Sequence, residues 1–312
     1  MSWTTADIPD QTGKIAVVTG ANGGLGLEVT RELARNGAHV VMAARDQAKA
    51  RTALAEVIAT IPDASVELVE LDLGSLASVR AATTRILERH QRIDVLVNNA
   101  GVMGIPRGET ADGFEVQFGV NHLGHFALTA LLMPALLRSA QARVVTVTSW
   151  GREFGPPVDP RDPHMRRRYS PWRAYGQSKL ANVHFALELQ RRFDEARVPA
   201  RSLVASPGFT HTDLQARSAR ESGGLSQRFF HAAVQRTGMP ASRGALSLLR
   251  AATDPAARGG GFYAPRFVTN GPPVRRPLFR RSRDPRFLRT LWAVSERETG
   301  VSLDVAPAAN AG

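Results

Sequence analysis

The sequence of 312 residues predicts an α/β fold, in which a doubly wound parallel sheet of about seven strands carries helices on both faces. Short apolar runs alternate with helical stretches from the beginning of the chain. A glycine-rich turn directly follows the first run, and neither an internal repeat nor a linker divides the chain into two domains. Strands that alternate with helices require right-handed crossovers, which place helices on both faces of a parallel sheet.

Each predicted strand is a short apolar run, as expected for strands buried on both faces. The runs occupy residues 15–19, 40–43, 66–71, 95–97, 144–147, 202–205 and 262–263. The first predicted helix continues over residues 28–36 and ends at Gly37, because glycine adopts the left-handed conformation that terminates many helices. The glycine-, proline- and arginine-rich segment from about Arg258 predicts an irregular, basic C-terminal extension over residues 258–312, frayed from Ala306.

The composition is that of a soluble globular protein, with 43% apolar and 22% charged residues. The absence of cysteine excludes disulfides, thiolate nucleophiles and cysteine-ligated metals. The N-terminal residues lack the apolar segment of a signal peptide. The longest apolar stretch, residues 126–137, is shorter than the roughly 20 residues that cross a bilayer. We therefore expect a cytoplasmic protein without a transmembrane segment.

The net charge of +12 raises the question of an anionic partner. Seven arginines between residues 275 and 289 are accompanied by a single acid, Asp284. The interleaved prolines and phenylalanines match no motif that reads nucleic acid, and this chain uses arginine for nearly all of its positive charge. The sequence therefore favours a solvated basic surface over a patch that binds nucleic acid or an anionic membrane.

The glycine-rich turn predicts a site for the pyrophosphate of a dinucleotide. It reads T-G-A-N-G-G-L-G over residues 19–26 and lies between the first strand and its helix. Glycines permit a tight turn and a close approach of the backbone to a pyrophosphate, which the N-terminus of the helix stabilises. The turn lacks the G-K-[ST] of a nucleoside triphosphate site. A purely structural turn is the alternative, which the position between strand and helix disfavours.

The end of the second strand predicts which nucleotide binds. A site for NAD(H) places an acidic residue there, to accept hydrogen bonds from the ribose hydroxyls. Ala44 stands in this place, and the guanidinium of Arg45, which follows, suits a 2′-phosphate. Asp46 is expected to cap the next helix instead. The sequence therefore predicts NADP(H), with NAD(H) as the less favoured cofactor.

Tyr175 and Lys179 stand four residues apart in a chain with only three lysines among its 40 basic residues. On a helix these positions share one face, which brings the ammonium beside the phenol. A nearby cation favours phenolate and lowers the pKa of a tyrosine, so that it can exchange protons near neutral pH. A chance pair on the surface is the alternative, and the other motifs decide between the two.

These motifs are arranged as in the short-chain dehydrogenase/reductase family, which the chain resembles over residues 12–215. The glycine turn has the form T-G-x-x-x-G-x-G, residues 98–101 read N-N-A-G, and residues 175–179 read Y-x-x-x-K. Asn121 and Ser149 match the active-site asparagine and serine of the family. The resemblance implies a dinucleotide-binding and catalytic core of the Rossmann type. It implies cofactor contacts at Gly20, Asn22, Gly24, Leu25, Gly26, Arg45, Asp72, Leu73, Asn98, Ala100, Gly101, Tyr175, Lys179, Pro207, Gly208, Thr210 and Thr212.

Three further motifs resemble the retinol dehydrogenase-like branch of that family. They are N-H-L-G-H-F at 121–126, Y-x-x-S-K-L-A-N at 175–182 and L-W-x-x-S-E at 291–296. The branch implies NADP(H) and a bulky apolar carbonyl or alcohol, and family members often form homo-oligomers. Within the single domain of residues 1–312, residues 214–240 are implied to form a lid over the substrate. Phe229 and Phe230 in that segment suit either an apolar lid or helix packing.

The resemblance implies hydride transfer between the nicotinamide and the carbon of an alcohol, aldehyde or ketone. Tyr175 is the implied general acid and base, and Ser149 is implied to hydrogen-bond the substrate oxygen. Lys179 is implied to contact the nicotinamide ribose and to lower the pKa of Tyr175. Asn121 is implied to position a water that connects Lys179 to solvent. The insert between Ser149 and Tyr175 is expected to shape one rim of the pocket.

Other functions fit the sequence less well. A regulator that senses NADP on the same fold is expected to lose Tyr175 or Lys179, both of which this chain keeps. Protochlorophyllide reduction shares the two motifs but is associated with cysteines that this chain lacks. No G-x-S-x-G surrounds Ser149, which excludes a serine hydrolase of that type. His122 and His125 lack the H-E-x-x-H pattern, so we predict hydrogen-bonding or packing histidines and no metal ligand.

Overall fold

An eight-stranded sheet forms the centre of the structure, a computed structural model that describes residues 2–210 and 238–305. The strands are β1 Ile15–Thr19, β2 His39–Ala44, β3 Val66–Glu70, β4 Val95–Asn98, β5 Arg143–Val147, β6 Arg201–Ala205, β7 Phe262–Pro265 and β8 Pro273–Arg276. They lie in the order β3-β2-β1-β4-β5-β6-β7-β8, and every neighbouring pair is parallel except β7 with β8. The predicted doubly wound sheet is confirmed, with eight strands rather than about seven.

The strand that the sequence analysis missed is β8. It pairs antiparallel with β7 at the edge of the sheet, so no helical crossover precedes it. It begins with Pro273 and contains Arg275 and Arg276, and so lacks the apolar run that predicts a buried strand. Both features suit an edge, because proline cannot donate to a strand ladder and charge discourages pairing with another chain.

Helices cover both faces of the sheet, as predicted. They are α1 Gly24–Arg35, α2 Gln47–Thr60, α3 Leu76–Arg89, α4 Val116–Leu137, α5 Pro171–Glu195, α6 Ala241–Thr253 and α7 Pro285–Thr299. Alternate side chains of a strand point to opposite faces, so Val17 of β1 packs in the core beneath α3, α4, α5 and α7. Its neighbours Ala16 and Val18 pack in the second core, beneath α1, α2 and α6.

Helix α4 lies in the interior and carries an irregular turn. It begins at Val116, ten residues before the apolar stretch recognised in the sequence, and by length and composition it is able to cross a membrane. However, 78% of its apolar window is buried inside the domain, as expected for the central helix of a packed core. Its second turn, Gly119–Leu123, has π-helical hydrogen bonding and contains Asn121.

The prediction of an irregular C-terminal extension is wrong for residues 285–299, which form α7. Trp292 of this helix is 3% exposed, stacks on Phe185 of α5 and meets Phe126 of α4 edge to face. The guanidinium of Arg192 lies over the Trp292 ring, 3.9 Å from its centroid. The surrounding arginines obscured the helical spacing of the apolar residues in the sequence.

Residues from 306, and residues 214–237 of the predicted lid with Phe229 and Phe230, lie outside the described parts of the chain.

Candidate active site

The four side chains predicted to act in catalysis lie at the carboxyl edge of the sheet. Ser149 follows β5, Tyr175 and Lys179 lie on successive turns of α5, and Asn121 lies in the π-helical turn of α4. The side chains of Ser149 and Tyr175 lie next to each other, since a Cβ at position 151 would be 3.7 Å from Ser149 Oγ and 2.8 Å from Tyr175 Cε1. Tyr175, Lys179 and Asn121 are buried. The fold therefore collects residues that are up to 58 positions apart in the sequence into one buried polar cluster.

Two hydrogen bonds fix α5 against the end of β5. The hydroxyl of Thr148 donates to the carbonyl of Lys179 at 2.7 Å, and the amide of Asn182 donates to the carbonyl of Val147 at 2.9 Å. All of these groups are buried, and each such hydrogen bond contributes about 0.5–1.5 kcal/mol to the stability of the fold. Sequence reasoning assigned no such role to Thr148 or Asn182, because the pairing is visible only once the helix lies on the strand.

A contact between glycines allows the turn after Ser149 to lie directly on α5. A Cβ at position 155 would lie 1.9 Å from the carbonyl carbon of Gly176, and a Cβ at position 176 would lie 2.6 Å from the backbone nitrogen of Gly155. Neither position therefore accepts a side chain without displacement of the turn. The sequence contains a sign of this close packing, because Gly176 directly follows Tyr175 inside an otherwise helical segment.

The side chain of Asn121 is held by hydrogen bonds at both of its polar atoms. Its Nδ2 donates to the carbonyl of Val102 and to the hydroxyl of Ser178, each at 2.9 Å, and its Oδ1 accepts from the backbone nitrogen of Val102 at 2.7 Å. The Ser178 hydroxyl in turn donates to the carbonyl of Tyr175 at 2.8 Å. Asn121 therefore fixes the loop after β4 relative to the catalytic turn of α5.

The predicted lowering of the tyrosine pKa is wrong for the protein without its nucleotide. Burial raises the pKa of Tyr175 to about 12, and the neighbouring Ser149 hydroxyl opposes this only in part. Lys179 Nζ lies over the Tyr175 ring, 5.9 Å from its centroid, at the outer limit of a cation–π contact. Burial also lowers the pKa of Lys179, to about 8, so that it is still an ammonium near pH 7. Desolvation, which disfavours the charged form of each group, therefore dominates over their attraction.

The backbone around Lys179 leaves room for a ligand that accepts a hydrogen bond. A Cβ at position 101 would lie 2.8 Å from Asn121 Oδ1 and 3.3 Å from Lys179 Nζ, so only glycine keeps this side of the ammonium open. Within the described residues, Lys179 Nζ donates no hydrogen bond. A buried ammonium without a partner is costly, and a hydroxyl-rich ligand such as a ribose is suited to pair with it.

The glycine turn has the geometry that a dinucleotide requires. Gly20 has a φ of +66°, and a Cβ at position 26 would lie 2.3 Å from the carbonyl oxygen of Gly20. Helix α1 begins at Gly24, four residues earlier than predicted, and no side chain caps its amides among the described residues. These free N–H groups and the positive end of the helix suit a pyrophosphate.

The nucleotide turn is hydrogen-bonded to the N-N-A-G turn after β4. The hydroxyl of Thr19 accepts from the backbone nitrogens of Asn99 and Ala100, at 2.9 and 3.0 Å, and the amide of Asn99 donates to the carbonyl of Thr19 at 2.8 Å. A Cβ at position 20 would lie 3.1 Å from Ala100. Gly20, Ala100 and Gly101 therefore lie together, as the predicted cofactor contacts require.

Arg45 lies where β2 ends, with its side chain 57% exposed and its guanidinium 3.9 Å from the carboxylate of Asp72. Asp72 accepts a hydrogen bond from the backbone nitrogen of Gly74 at 2.9 Å. Asp46 caps α2 by accepting from the nitrogen of Lys49, which confirms the prediction that it faces the helix. Arg45 and Asp72 are thus the charged side chains that face the predicted adenosine end.

The turn after β6 lies beside the glycine turn. A Cβ at position 244 of α6 would lie within 3.3 Å of Leu25, Thr210 and Pro207, so these three residues converge on one glycine. Gly208 has a φ of +74°, which favours glycine in the turn. This arrangement brings the predicted contacts at 207–210 next to those at 22–26.

Some predicted contacts are not available as side chains. The side chain of Asn98 is buried and donates to the hydroxyl of Thr129 at 3.0 Å, and the side chain of Leu73 packs in the core beneath α4. Only their backbone groups therefore remain for a cofactor. Thr212 lies outside the described residues.

His125 connects the glycine turn to the π-helical turn of α4 that contains Asn121, a link that sequence reasoning missed. Its Nδ1 lies 3.0 Å from the carbonyl of Asn121, and its Nε2 lies 2.8 Å from the hydroxyl of Thr19. A carbonyl only accepts, so Nδ1 carries the proton and Nε2 accepts from Thr19. Burial lowers the pKa of His125 to about 3, which keeps the ring neutral. The predicted hydrogen-bonding role is confirmed for His125 and for His122, whose Nε2 lies 2.7 Å from Ser295 Oγ.

Comparison with known proteins agrees with this architecture. Residues 14–161 match the family model described as short chain dehydrogenase. Polyprenol dehydrogenase from mouse is 40% identical over 300 residues, which cover 94% of this chain and 86% of that protein. Retinol dehydrogenase 12 from mouse is 43% identical over 211 residues, which cover 68% of this chain and 65% of that protein. The match thus spans about two thirds of the length of that retinol dehydrogenase.

The solved structures include an uncharacterized protein from Mycobacterium paratuberculosis, with 42% identity and a TM-score of 0.80 over 97% of this chain and all of that one. A short chain dehydrogenase from Shigella flexneri in complex with NADP shares the fold, with 22% identity and a TM-score of 0.62 over 81% of this chain and 97% of that one. The chain belongs to the short-chain dehydrogenase family, in its retinol dehydrogenase-like branch. It is therefore a dehydrogenase that acts on CH–OH groups with a nicotinamide cofactor.

Replacement of His125 by glutamine should change how stability depends on pH. The pKa of His125 is about 3 in the folded protein and 6.5 when exposed, so only the unfolded chain gains a proton as the pH falls below 6.5. From pH 7 to pH 5 the wild type should therefore lose about 2 kcal/mol more free energy of unfolding than H125Q. Denaturant unfolding at the two pH values measures this, and parallel losses in both proteins would contradict a buried neutral His125.

Proposed function

We propose that this chain is an NADP(H)-dependent dehydrogenase or reductase that interconverts an alcohol and an aldehyde or ketone on a bulky apolar substrate. The observation that carries the proposal is the cluster of the partly exposed Ser149 with the buried Tyr175 and Lys179. Ser149 and Tyr175 lie side by side at Gly151, where both hydroxyl groups can contact one substrate oxygen. Lys179 lies one helical turn further, towards the glycine turn.

The residues that would hold the dinucleotide follow from this geometry. The amides at the start of α1 would bind the pyrophosphate, and Lys179 would donate to the nicotinamide ribose. Arg45 would bind the 2′-phosphate, because an exposed guanidinium beside the end of β2 has no acidic residue at position 44 to favour a free ribose hydroxyl. When bound, the nicotinamide supplies or accepts the hydride.

The protein's own part in the reaction is to move a proton and to stabilise charge. In the direction of reduction, the Tyr175 hydroxyl donates its proton to the carbonyl oxygen, and in oxidation the phenolate takes the proton of the alcohol. The Ser149 hydroxyl donates a hydrogen bond to the same oxygen and stabilises the charge that develops there. Asn121 holds the loop that faces Lys179 and would position a water beside it.

The positive charge of the bound, oxidised nicotinamide and the ammonium of Lys179 would together lower the pKa of Tyr175 from about 12. A ribose that accepts a hydrogen bond from Lys179 favours the charged form of that lysine. The cofactor would therefore supply the positive charge that the proposed site needs to lower the pKa of Tyr175. The protein alone holds Tyr175 as a neutral phenol.

An aromatic rim beside Ser149 supports an apolar substrate. The rings of Trp150 and Phe154 meet edge to face at 4.7 Å between centroids, and Phe209 lies 6.4 Å from Trp150. Trp150 is 41% exposed and Phe154 is 63% exposed, although both are large and apolar. An exposed aromatic patch of this kind is a common feature of binding surfaces. Since the relatives named above act on polyprenol and retinol, we propose a long isoprenoid alcohol or its carbonyl form as the substrate class.

Replacement of Tyr175 by phenylalanine should abolish proton transfer without loss of the nucleotide. We expect kcat with retinal or farnesal to fall by roughly 10²–10⁴-fold, because general acid catalysis contributes about that much. The Kd for NADPH should stay within about threefold. NADPH absorbance measures the first and fluorescence titration the second.

The matched control is Tyr263→Phe, which removes a buried hydroxyl in β7, outside the proposed site, and should keep wild-type turnover. Wild-type turnover in Y175F would contradict the proposed role. Faster reduction of a short polar aldehyde than of farnesal by the wild type would contradict the proposed substrate class.

Replacement of Arg45 by alanine should weaken NADPH selectively. Loss of a charge-assisted contact to the 2′-phosphate should raise the Kd for NADPH about 10- to 100-fold, whereas the Kd for NADH should change little. Arg289→Ala, at an exposed arginine of α7, is the control and should leave both constants unchanged. Equal affinities of the wild type for NADH and NADPH would contradict the assignment.

A further inference from the structure

Three potential metal ligands converge at the edge of the sheet opposite to the active site. His39 is the first residue of β2, Glu67 is the second residue of β3, and His90 caps the C-terminus of α3. One ligand atom from each residue lies within 4.8 Å of the other two. The parallel strands place this cluster at their amino ends, whereas Ser149 and the glycine turn follow their carboxyl ends.

The distances suit a single cation between the three side chains. His90 Nε2 lies 2.6 Å and His39 Nε2 lies 3.6 Å from Glu67 Oε1, and the two imidazole centroids are 4.9 Å apart. Two imidazole nitrogens and one carboxylate oxygen are a ligand set that proteins use for zinc, with a fourth position left for water. A bound zinc ion would lie about 2.0–2.2 Å from each ligand atom, so the three side chains would turn towards a common centre on binding.

His39 is already oriented as a metal ligand. Its Nδ1 lies 2.7 Å from the hydroxyl of Ser65, which fixes the plane of the ring and turns Nε2 towards Glu67. Metal-bound histidines usually carry such a bond on the other nitrogen. His39 Nε2 is buried and has no hydrogen-bond partner among the described residues. A buried nitrogen without a partner, aimed at a carboxylate, is better accounted for by a ligand role than by packing alone.

An ion pair between Glu67 and Arg89 is compatible with this role. Arg89 contacts Glu67 Oε2 at 2.7 Å, so Oε1 is left to face the two histidines. Metals bind the carboxylate form of glutamate, and Oε1 is the atom of Glu67 nearest to both histidine nitrogens. The arginine holds it in place as an outer-shell residue.

We propose that His39, Glu67 and His90 form a binding site for a divalent transition-metal ion, with zinc as the preferred ion. The site ties the start of β2 to the edge strand β3 and to the end of α3. Its role is structural, because the ligands are separated from the catalytic residues by the length of the sheet. Binding of the metal to the folded chain alone should raise its thermal stability.

Calorimetric titration with zinc chloride alone tests the proposal on the full chain, freed of any purification tag and treated with chelator. We expect one zinc ion per chain and a higher melting temperature. His39→Ala and His90→Ala should abolish this binding. The double variant His211→Gln/His231→Gln removes histidines elsewhere in the chain and should bind like the wild type. Equal binding by the wild type and His39→Ala, or loss of binding in the double variant, would overturn the proposal.

A second variant keeps the test decisive if a ligand substitution disturbs folding. Ser65→Ala retains all three ligands and removes only the hydroxyl that orients His39, so its zinc affinity should fall about tenfold. Cobalt(II) bound to the wild type should also give the visible absorption of a four-coordinate site. Unchanged zinc affinity in S65A together with an octahedral cobalt spectrum would show that the metal is held elsewhere.

Discussion

The position of α5 against the end of β5 is the constraint on which the candidate active site depends. Thr148 and Asn182 bind the helix to the strand through buried hydrogen bonds. The contact of Gly155 with Gly176 allows the turn after Ser149 to lie flat on the helix. A side chain at either glycine would displace this turn from α5 and move Ser149 away from Tyr175. The backbone thus sets the distance between the two hydroxyl groups that the proposed reaction uses.

The same close packing sets the electrostatics of the site. Because α5 is buried here, desolvation raises the pKa of Tyr175 and lowers the pKa of Lys179, so that each group favours its neutral form. Near pH 7, below both of these pKa values, the protein without its cofactor holds Tyr175 as a neutral phenol and Lys179 as an ammonium. Opposite charge has to be added before the phenol becomes a useful base, and the proposed cofactor brings that charge. Because the site is buried, binding of the proposed cofactor would also be the event that makes Tyr175 able to act as a base.

Much of the fold and of the site could be predicted from the sequence, because most strands and the site motifs are recognisable from short stretches of residues. Apolar runs gave seven strands, and the motifs around residues 19–26 and 175–179 gave the predicted contacts that lie together in the structure. Features that depend on tertiary packing were missed. β8 and α7 are obscured by arginine and proline, and the link from His125 to Thr19 joins residues 106 positions apart. The direction of the Tyr175 pKa was predicted wrongly, since spacing on a helix reveals a neighbouring charge but not the extent of burial.

The most direct test of the account is the ionisation of Tyr175 with and without NADP⁺. The chain has only three tyrosines, so the difference in phenolate absorbance between the wild type and Y175F isolates this one. For the protein alone, we expect a pKa of about 12 for Tyr175 and no phenolate signal from it near pH 9. Saturation with NADP⁺ should lower the pKa of Tyr175 by about 1–3 units. Ionisation of Tyr175 near neutral pH without nucleotide, or a pKa that NADP⁺ leaves unchanged, would contradict the coupling of burial to cofactor charge.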